Sequence, residues 1–213
     1  NGNFSFGIQY ESYLPSALLG YSEIFDNNEG IAQYYFKYEN TNSEITVGSF
    51  YEQFGNGLVF RAWEDRQLGI NNSLRGIRYR FSPSKEIEIS AIHGKQRFGF
   101  EYSNSVISGV NSNIDISEIV KLNKFSFTIG VSHLNRYQKL NAGFGEPENV
   151  SVSGARLDIF YQDFYVNAEL AKKNKDVIAN EGEILSERMY DGTALQIDVG
   201  YSKKGFGLNS SMR

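Results

Sequence analysis

The residues most able to do chemistry stand close together in the middle of the chain: Arg61, Glu64, Asp65 and Arg66, then Arg78, Arg80, Glu86 and Glu88. Ionic side chains at this density either pair into a ladder across facing strands or line a constriction that sorts solutes by charge, and both readings stand for this set. Catalysis asks for more. The two histidines, His93 and His133, have neither a cysteine nor a second histidine at metal-ligand spacing. The phosphate-loop and G-x-S-x-G patterns are also missing. The expectation is a non-enzymatic chain with no catalytic, cofactor or metal residue. Asp26-Asn27-Asn28-Glu29-Gly30 and Asn180-Glu181-Gly182-Glu183 crowd oxygen ligands together, but neither has EF-hand spacing, and solvated acidic loops are the ordinary reading.

The elements that carry these charges alternate strictly. Phe4, Phe6, Ile8 and Tyr10 share one phase against Ser5, Gly7, Gln9 and Glu11. Ala32, Tyr34, Phe36 and Tyr38 repeat it, as do Phe125, Phe127, Ile129 and Val131 against Ser126, Thr128, Gly130 and Ser132. The period returns in Ala155, Leu157, Ile159 and Tyr161, in Phe164, Val166, Ala168 and Leu170, and in Leu195, Ile197, Val199 and Tyr201. A period of two is the mark of a strand with unlike faces. The apolar faces are rich in aromatics, and the opposite faces carry Gly, Ser, Thr and Gln, which suits a lipid-facing exterior around a wet lumen. By the same parity Ile77, Tyr79 and Phe81 face lipid while Arg78 and Arg80 face inward. A short loop at Pro83-Ser84-Lys85 sets Arg80 opposite Glu88. Leu58, Phe60 and Trp63 keep no single phase, so the segment around them is either a loop folded into the lumen or a bulged strand.

Composition agrees with this class without proving it. The chain has 16 Phe, 14 Tyr and no Cys, so neither a disulfide framework nor a Cys-ligated metal is available. Mean hydropathy is −0.41, a value a barrel shares with soluble proteins because only alternate residues meet lipid. No apolar run approaches the roughly 20 residues a transmembrane helix needs. A net charge of −4 argues against nucleic acid as a partner. The chain opens at Asn1 without an initiator Met or a signal, as a mature or trimmed product does.

Connections add a second regularity. Long segments at Leu14 to Gly30, Glu52 to Ser73, Lys95 to Asn113, Asn135 to Asn149 and Lys172 to Gly192 alternate with tight turns near Asn42, Pro83, Leu122, Asp163 and Lys203. Transmembrane barrels sort long external loops from short periplasmic turns in this way. The expected fold is all-β, an antiparallel up-and-down transmembrane β-barrel with about ten to twelve strands present. The best count is about eleven; bacterial single-chain barrels close on an even number, so the sequence reads as cut.

Two blocks resemble a known family. Gln9-Tyr10-Glu11-Ser12-Tyr13-Leu14-Pro15, and Gly48-Ser49-Phe50-Tyr51-Glu52-Gln53-Phe54-Gly55-Asn56-Gly57-Leu58 continuing through Arg61-Ala62-Trp63-Glu64-Asp65-Arg66-Gln67-Leu68-Gly69-Ile70-Asn71-Asn72, are similar to an uncharacterised outer-membrane β-barrel family of Bacteroidota, a domain of unknown function. The resemblance implies location and architecture, and a full-length protein longer than this chain. It implies no activity and no catalytic residues.

Residues 1–213 are therefore expected to form one outer-membrane β-barrel domain or part of one. The expected role is a passive channel, or a structural subunit of a secretion, uptake or barrel-insertion assembly. Its partners would be outer-membrane lipid and lipopolysaccharide, together with other outer-membrane proteins or lipoproteins in an assembly. The competing reading is a soluble or surface-exposed β-sandwich that binds carbohydrate through its aromatic side chains.

Overall fold

The computed structural model describes residues 2–13, 29–122, 124–139, 147–180 and 183–213, with side chains described outside 178–187. Strands come in long pairs. In chain order they are β1 (Phe4–Ser12), β2 (Glu29–Glu39), β3 (Ser43–Phe50), the short β4 (Glu52–Phe54), β5 (Phe60–Ala62), β6 (Glu64–Asp65) and β7 (Ile70–Asn71), then β8 (Leu74–Ser84) and β9 (Ile87–Phe98). Next come β10 (Glu101–Tyr102), β11 (Val106–Asp115), the helical turn α1 (Ile116–Ile119), β12 (Phe125–Tyr137), β13 (Asn149–Tyr161), β14 (Phe164–Asn180), β15 (Glu183–Lys203) and β16 (Phe206–Met212).

One antiparallel sheet contains all the long strands, in the order β1-β2-β3-β8-β9-β11-β12-β13-β14-β15-β16, with β10 attached to β9. Every neighbour along that path is a neighbour in sequence once the inner segment between β3 and β8 and the short β10 are set aside, which is an up-and-down topology. The fold is all-β, as the alternation requires. Among the described residues β1 pairs only with β2 and β16 only with β15, so the sheet is open at both edges.

The faces follow parity. Phe4, Phe6, Ile8, Val131, Phe164 and Val199 are exposed on the convex face, and Ser90, Asn111, Ser132, Arg156 and Gln196 are buried on the concave one. One bulge alters the set. The β1–β2 register shifts between Gln9 and Tyr10, so Ile31 is exposed and Ala32 is buried, the reverse of strict alternation through Ala32. At the short-turn rim aromatic rings meet across strands: Phe4 with Tyr38 at 4.9 Å, Phe125 with Tyr161 at 6.3 Å, and Phe164 with Tyr201 at 4.6 Å.

Several connections differ from expectation. The segments at Lys95 to Asn113 and Lys172 to Gly192 are largely strand, because β9 runs on through Phe98 and β14 through Asn180. The link near Leu122 is not a tight turn. It holds α1, whose N-cap Asp115 accepts the Glu118 backbone N–H. The tip of the β8–β9 hairpin lies at Lys85-Glu86, and Pro83 sits in a register break between Phe81 and Ser84. Most of Leu14 to Gly30, including Asp26-Asn27-Asn28, and residues 181–182 lie outside the described residues.

Glycines line up across the wall where the chain leaves it. Gly48 (φ +110°), Gly76 and Gly94 are register partners in series across β3, β8 and β9. A Cβ on Gly76 would meet the His93 carbonyl at 2.0 Å, and one on Gly48 would meet the Tyr34 carbonyl at 2.3 Å, so only glycine permits this approach. Beyond these glycines Arg97 of β9 reaches across to β1 and donates to Glu11 at 2.6 Å, and the Arg75 guanidinium of β8 lies over the rings of Tyr34 and Tyr102.

Candidate functional site

Residues 51–73 leave the wall after Phe50 and return at Leu74, and their two small hairpins, β4–β5 and β6–β7, fold across the concave face. Of the two readings for the stretch around Trp63, the inward-folded one is correct. Phe54, Val59, Phe60 and Ala62 of this inner segment join Ile92, Ile107, Leu134 and Ala171 of the wall in the buried apolar cluster of the structure. The core of the molecule is thus the seam between wall and inner segment.

Glycines make room for that seam. A Cβ at Gly109 would lie 2.9 Å from the Phe54 ring, and one at Gly154 would lie 2.4 Å from a methyl of Val59. At the tip, Gly55 holds φ +55° and rests against the Arg156 side chain. The Asn56 N–H donates to Glu169 Oε2 at 2.6 Å, and Glu169 is fully buried with Oε1 unbonded among the described residues. Arg156, the register partner of Glu169, donates to Ser132, Asn111 and Asn113, each at 2.6 Å.

The root is ionic. Arg78 and Arg80 point inward as parity requires, and Glu52 meets them from the inner segment: Arg80 Nη2 lies 3.0 Å from Glu52 Oε2. Arg78 donates to Glu44 Oε1 at 2.6 Å and to the Tyr51 carbonyl at 2.8 Å. Arg80 does not face Glu88. The bulge at Ser82-Pro83 moves the register so that Arg80 stands opposite Ser90, while Glu88 stands opposite Asn113, exposed on the concave side. Glu86 lies in the hairpin tip, where the Ser84 hydroxyl and its own backbone N–H hold its carboxyl below the usual range. Lys85 beside it is pushed up by its hydrogen bond to Glu118.

The remaining predicted charges belong to the inner segment. The Arg61 guanidinium lies 4.3 Å from the Trp63 ring centre, Glu64 pairs with Arg66 at 3.2 Å, and Asp65 accepts the backbone N–H groups of Gln67 and Leu68. The structure therefore joins Arg78 and Arg80 to Glu52 and Glu44, and sets Glu64, Asp65 and Arg66 together on the second hairpin. Glu86 and Glu88 stand apart from both groups. Sequence reasoning missed Glu52, Arg156 and Glu169. For Arg156 and Glu169 the signal was a charge on the inward phase of an otherwise small, polar strand face.

His93 and His133 lie on the convex face, each hydrogen-bonded through Nδ1 to a serine, Ser108 and Ser153, at 2.8 Å. No group of three or more metal-ligating side chains occurs among the described residues.

No curated protein matches the chain. Among solved structures, Pseudomonas aeruginosa OccK2 (OpdF) in complex with glucuronate is similar, with TM-score 0.47 and 10% identity over 94% of this chain and 65% of that one. Acinetobacter baumannii OccAB3 gives TM-score 0.46 and 12% identity over 96% of this chain and 67% of that one. P. aeruginosa OpdK with vanillate gives 0.46 and 10% over 94% and 68%. This chain spans less than two thirds of the length of OccK2. A family model matches residues 1–213 throughout, and the chain belongs to the family of unknown function DUF6029.

Proposed function

We propose that this chain is the wall of a non-enzymatic bacterial outer-membrane β-barrel acting as a passive channel, narrowed by residues 51–73. One observation carries the reading: the convex face bears large apolar side chains on strand after strand, and nothing covers them among the described residues. Phe6 is 78% exposed and Ile8 68%. A soluble protein rarely leaves a contiguous apolar surface beyond a few hundred Å² open to water. A sandwich would set a second sheet against that face, and its apolar side would be the core. Lipid serves instead, with the aromatic row at the short-turn rim placed as an interfacial girdle. Outer-membrane lipid and lipopolysaccharide are then the partners of the convex face. Arg78, Arg80 and Glu88 on the concave face, with Arg61, Glu64, Asp65 and Arg66 on the inner segment, are lumen charges.

Reconstitution of the full-length protein tests this. It should require detergent, insert into liposomes, and give stable single-channel conductance in a planar bilayer. Monodisperse behaviour in plain buffer would end the membrane reading. A folded, inserted barrel that never conducts would leave a structural role, to be sought by co-purification with lipoproteins or other barrels.

A further inference from the structure

Two cavities lie on the β1–β2 side of the inner segment, and both are lined by Gln9. The one toward the long connections holds about 400 Å³ between Glu11 of β1 and Glu64, Arg66 and Asn71 of the inner segment. The other, about 420 Å³, lies between Lys37 and Gln33 of β2 and Tyr51 and Arg78. A hydrogen-bonded bridge stands between them: Gln33 Nε2 donates to the Tyr51 hydroxyl at 2.6 Å and to Asn71 Oδ1 at 3.1 Å. On its other flank the inner segment is packed against Ile92, Ile107, Leu134 and Ala171. Passage there would require unpacking the core.

Resting on the channel reading above, we infer that solutes cross along the β1–β2 wall, through a collar of Gln9, Gln33, Tyr51 and Asn71 that takes small uncharged polyhydroxy compounds of monosaccharide type. Charges along the route are already engaged with one another. Glu11 is paired with Arg97 at 2.6 Å, Glu64 with Arg66 at 3.2 Å, Lys37 with Glu39 at 2.6 Å, and Arg78 with Glu44 at 2.6 Å. Asp65 caps its own turn. The collar itself offers amide and phenol groups, which both donate and accept. A sugar hydroxyl exchanges its water hydrogen bonds for these one at a time, whereas an ion would shed hydration among charges that, in the described residues, already hold an opposite partner.

Residues 1–213 hold no cysteine, and any cysteine elsewhere in the full-length protein is replaced by serine, so that one thiol reports one place. The full-length protein in liposomes is assayed by swelling with arabinose, glutamate and lysine, as Gln9→Cys and as Asp158→Cys, a concave-face position on β13 away from the groove. Each is measured before and after a bulky neutral methanethiosulfonate, with the adduct verified by mass. Arabinose should enter faster than either charged solute. Modification of Gln9→Cys should remove most of that flux and modification of Asp158→Cys should leave it. An unreactive thiol at position 9, or full flux after its modification, overturns the route while the channel stands. Faster entry of glutamate or lysine overturns the solute class. No entry of any solute through the unmodified native protein overturns the channel reading itself.

Discussion

Arg80 shows what a single register break decides. Parity in the sequence puts its side chain on the concave face, and the structure agrees, but parity says nothing about which residue stands opposite. The break between Phe81 and Ser84 replaces a Glu88 partner by Ser90, and the carboxylate that reaches Arg80 comes from Glu52 on the inner segment instead. Arg80→Glu should therefore weaken the fold, by no more than about 1 kcal/mol because the arginine is partly solvated. Glu52→Arg should recover part of that loss in the double variant and Glu88→Arg should not. Thermal unfolding in detergent of the wild type, the three single variants and the two double variants reads the coupling, and equal rescue by both would reject the observed register. Gly154 makes a second case. Its inward phase was legible, yet its purpose was not, since Val59 approaches it from a segment more than ninety residues away in sequence. Gly154→Val should cost about 1–3 kcal/mol through overpacking, while Gly192→Val, where a Cβ comes no nearer than 3.9 Å to any atom, should cost less. Similar melting temperatures for the two would mean that the seam is loose.

At the scale of elements, period-two patterning told the two faces apart almost everywhere because it is a property of the backbone: successive side chains must point to opposite sides. A direct test compares neighbours on β12. Ile129→Arg should impair insertion by about 2–4 kcal/mol near the bilayer midplane, and Thr128→Arg, on the concave side, should be mild. Folding yields into liposomes measure the difference, and equal effects would reverse the assigned phase. Element ends were far less legible. Lys172-Lys173-Asn174-Lys175-Asp176 reads as a loop because both faces are polar, yet ladder hydrogen bonds need no apolar side chain, and β14 continues through it. The link after β11 reads as a tight turn because Leu122-Asn123 draws the eye. The helix signal lay earlier, in Asp115 followed by Glu118 three residues on, a spacing that suits an N-cap. For the inner segment the sequence offered only a loss of phase around Leu58 and Trp63. Loss of phase cannot distinguish a bulge from an inward fold, since that difference lies in the distant wall residues the segment meets.

The whole molecule poses a question of direction. Each step along the sheet from β1 to β16 is antiparallel, and the path contains an odd number of strands, so both edge strands run the same way. Joining them directly would make a parallel pair, which hairpin-connected barrels of this type do not use. A second copy inserted with the same orientation offers the same two up-running edges and meets the same obstacle. On the barrel reading, antiparallel closure therefore calls for an odd number of further strands between β16 and β1. The energetic reason is strong, because an unpaired strand edge in hydrocarbon leaves each exposed backbone group short of a partner at several kcal/mol. In the full-length protein reconstituted in bilayers, amides of Phe4–Ser12 and Phe206–Met212 should resist hydrogen exchange as well as those of central β12. The same amides in a protein truncated to residues 1–213 in detergent should exchange quickly along the outer edge of each strand. Exchange measured by mass spectrometry on peptides from β1, β12 and β16 decides the matter. Rapid exchange at both edges in the full-length bilayer sample would show that the sheet ends at β1 and β16, and closure through added strands would have to be given up.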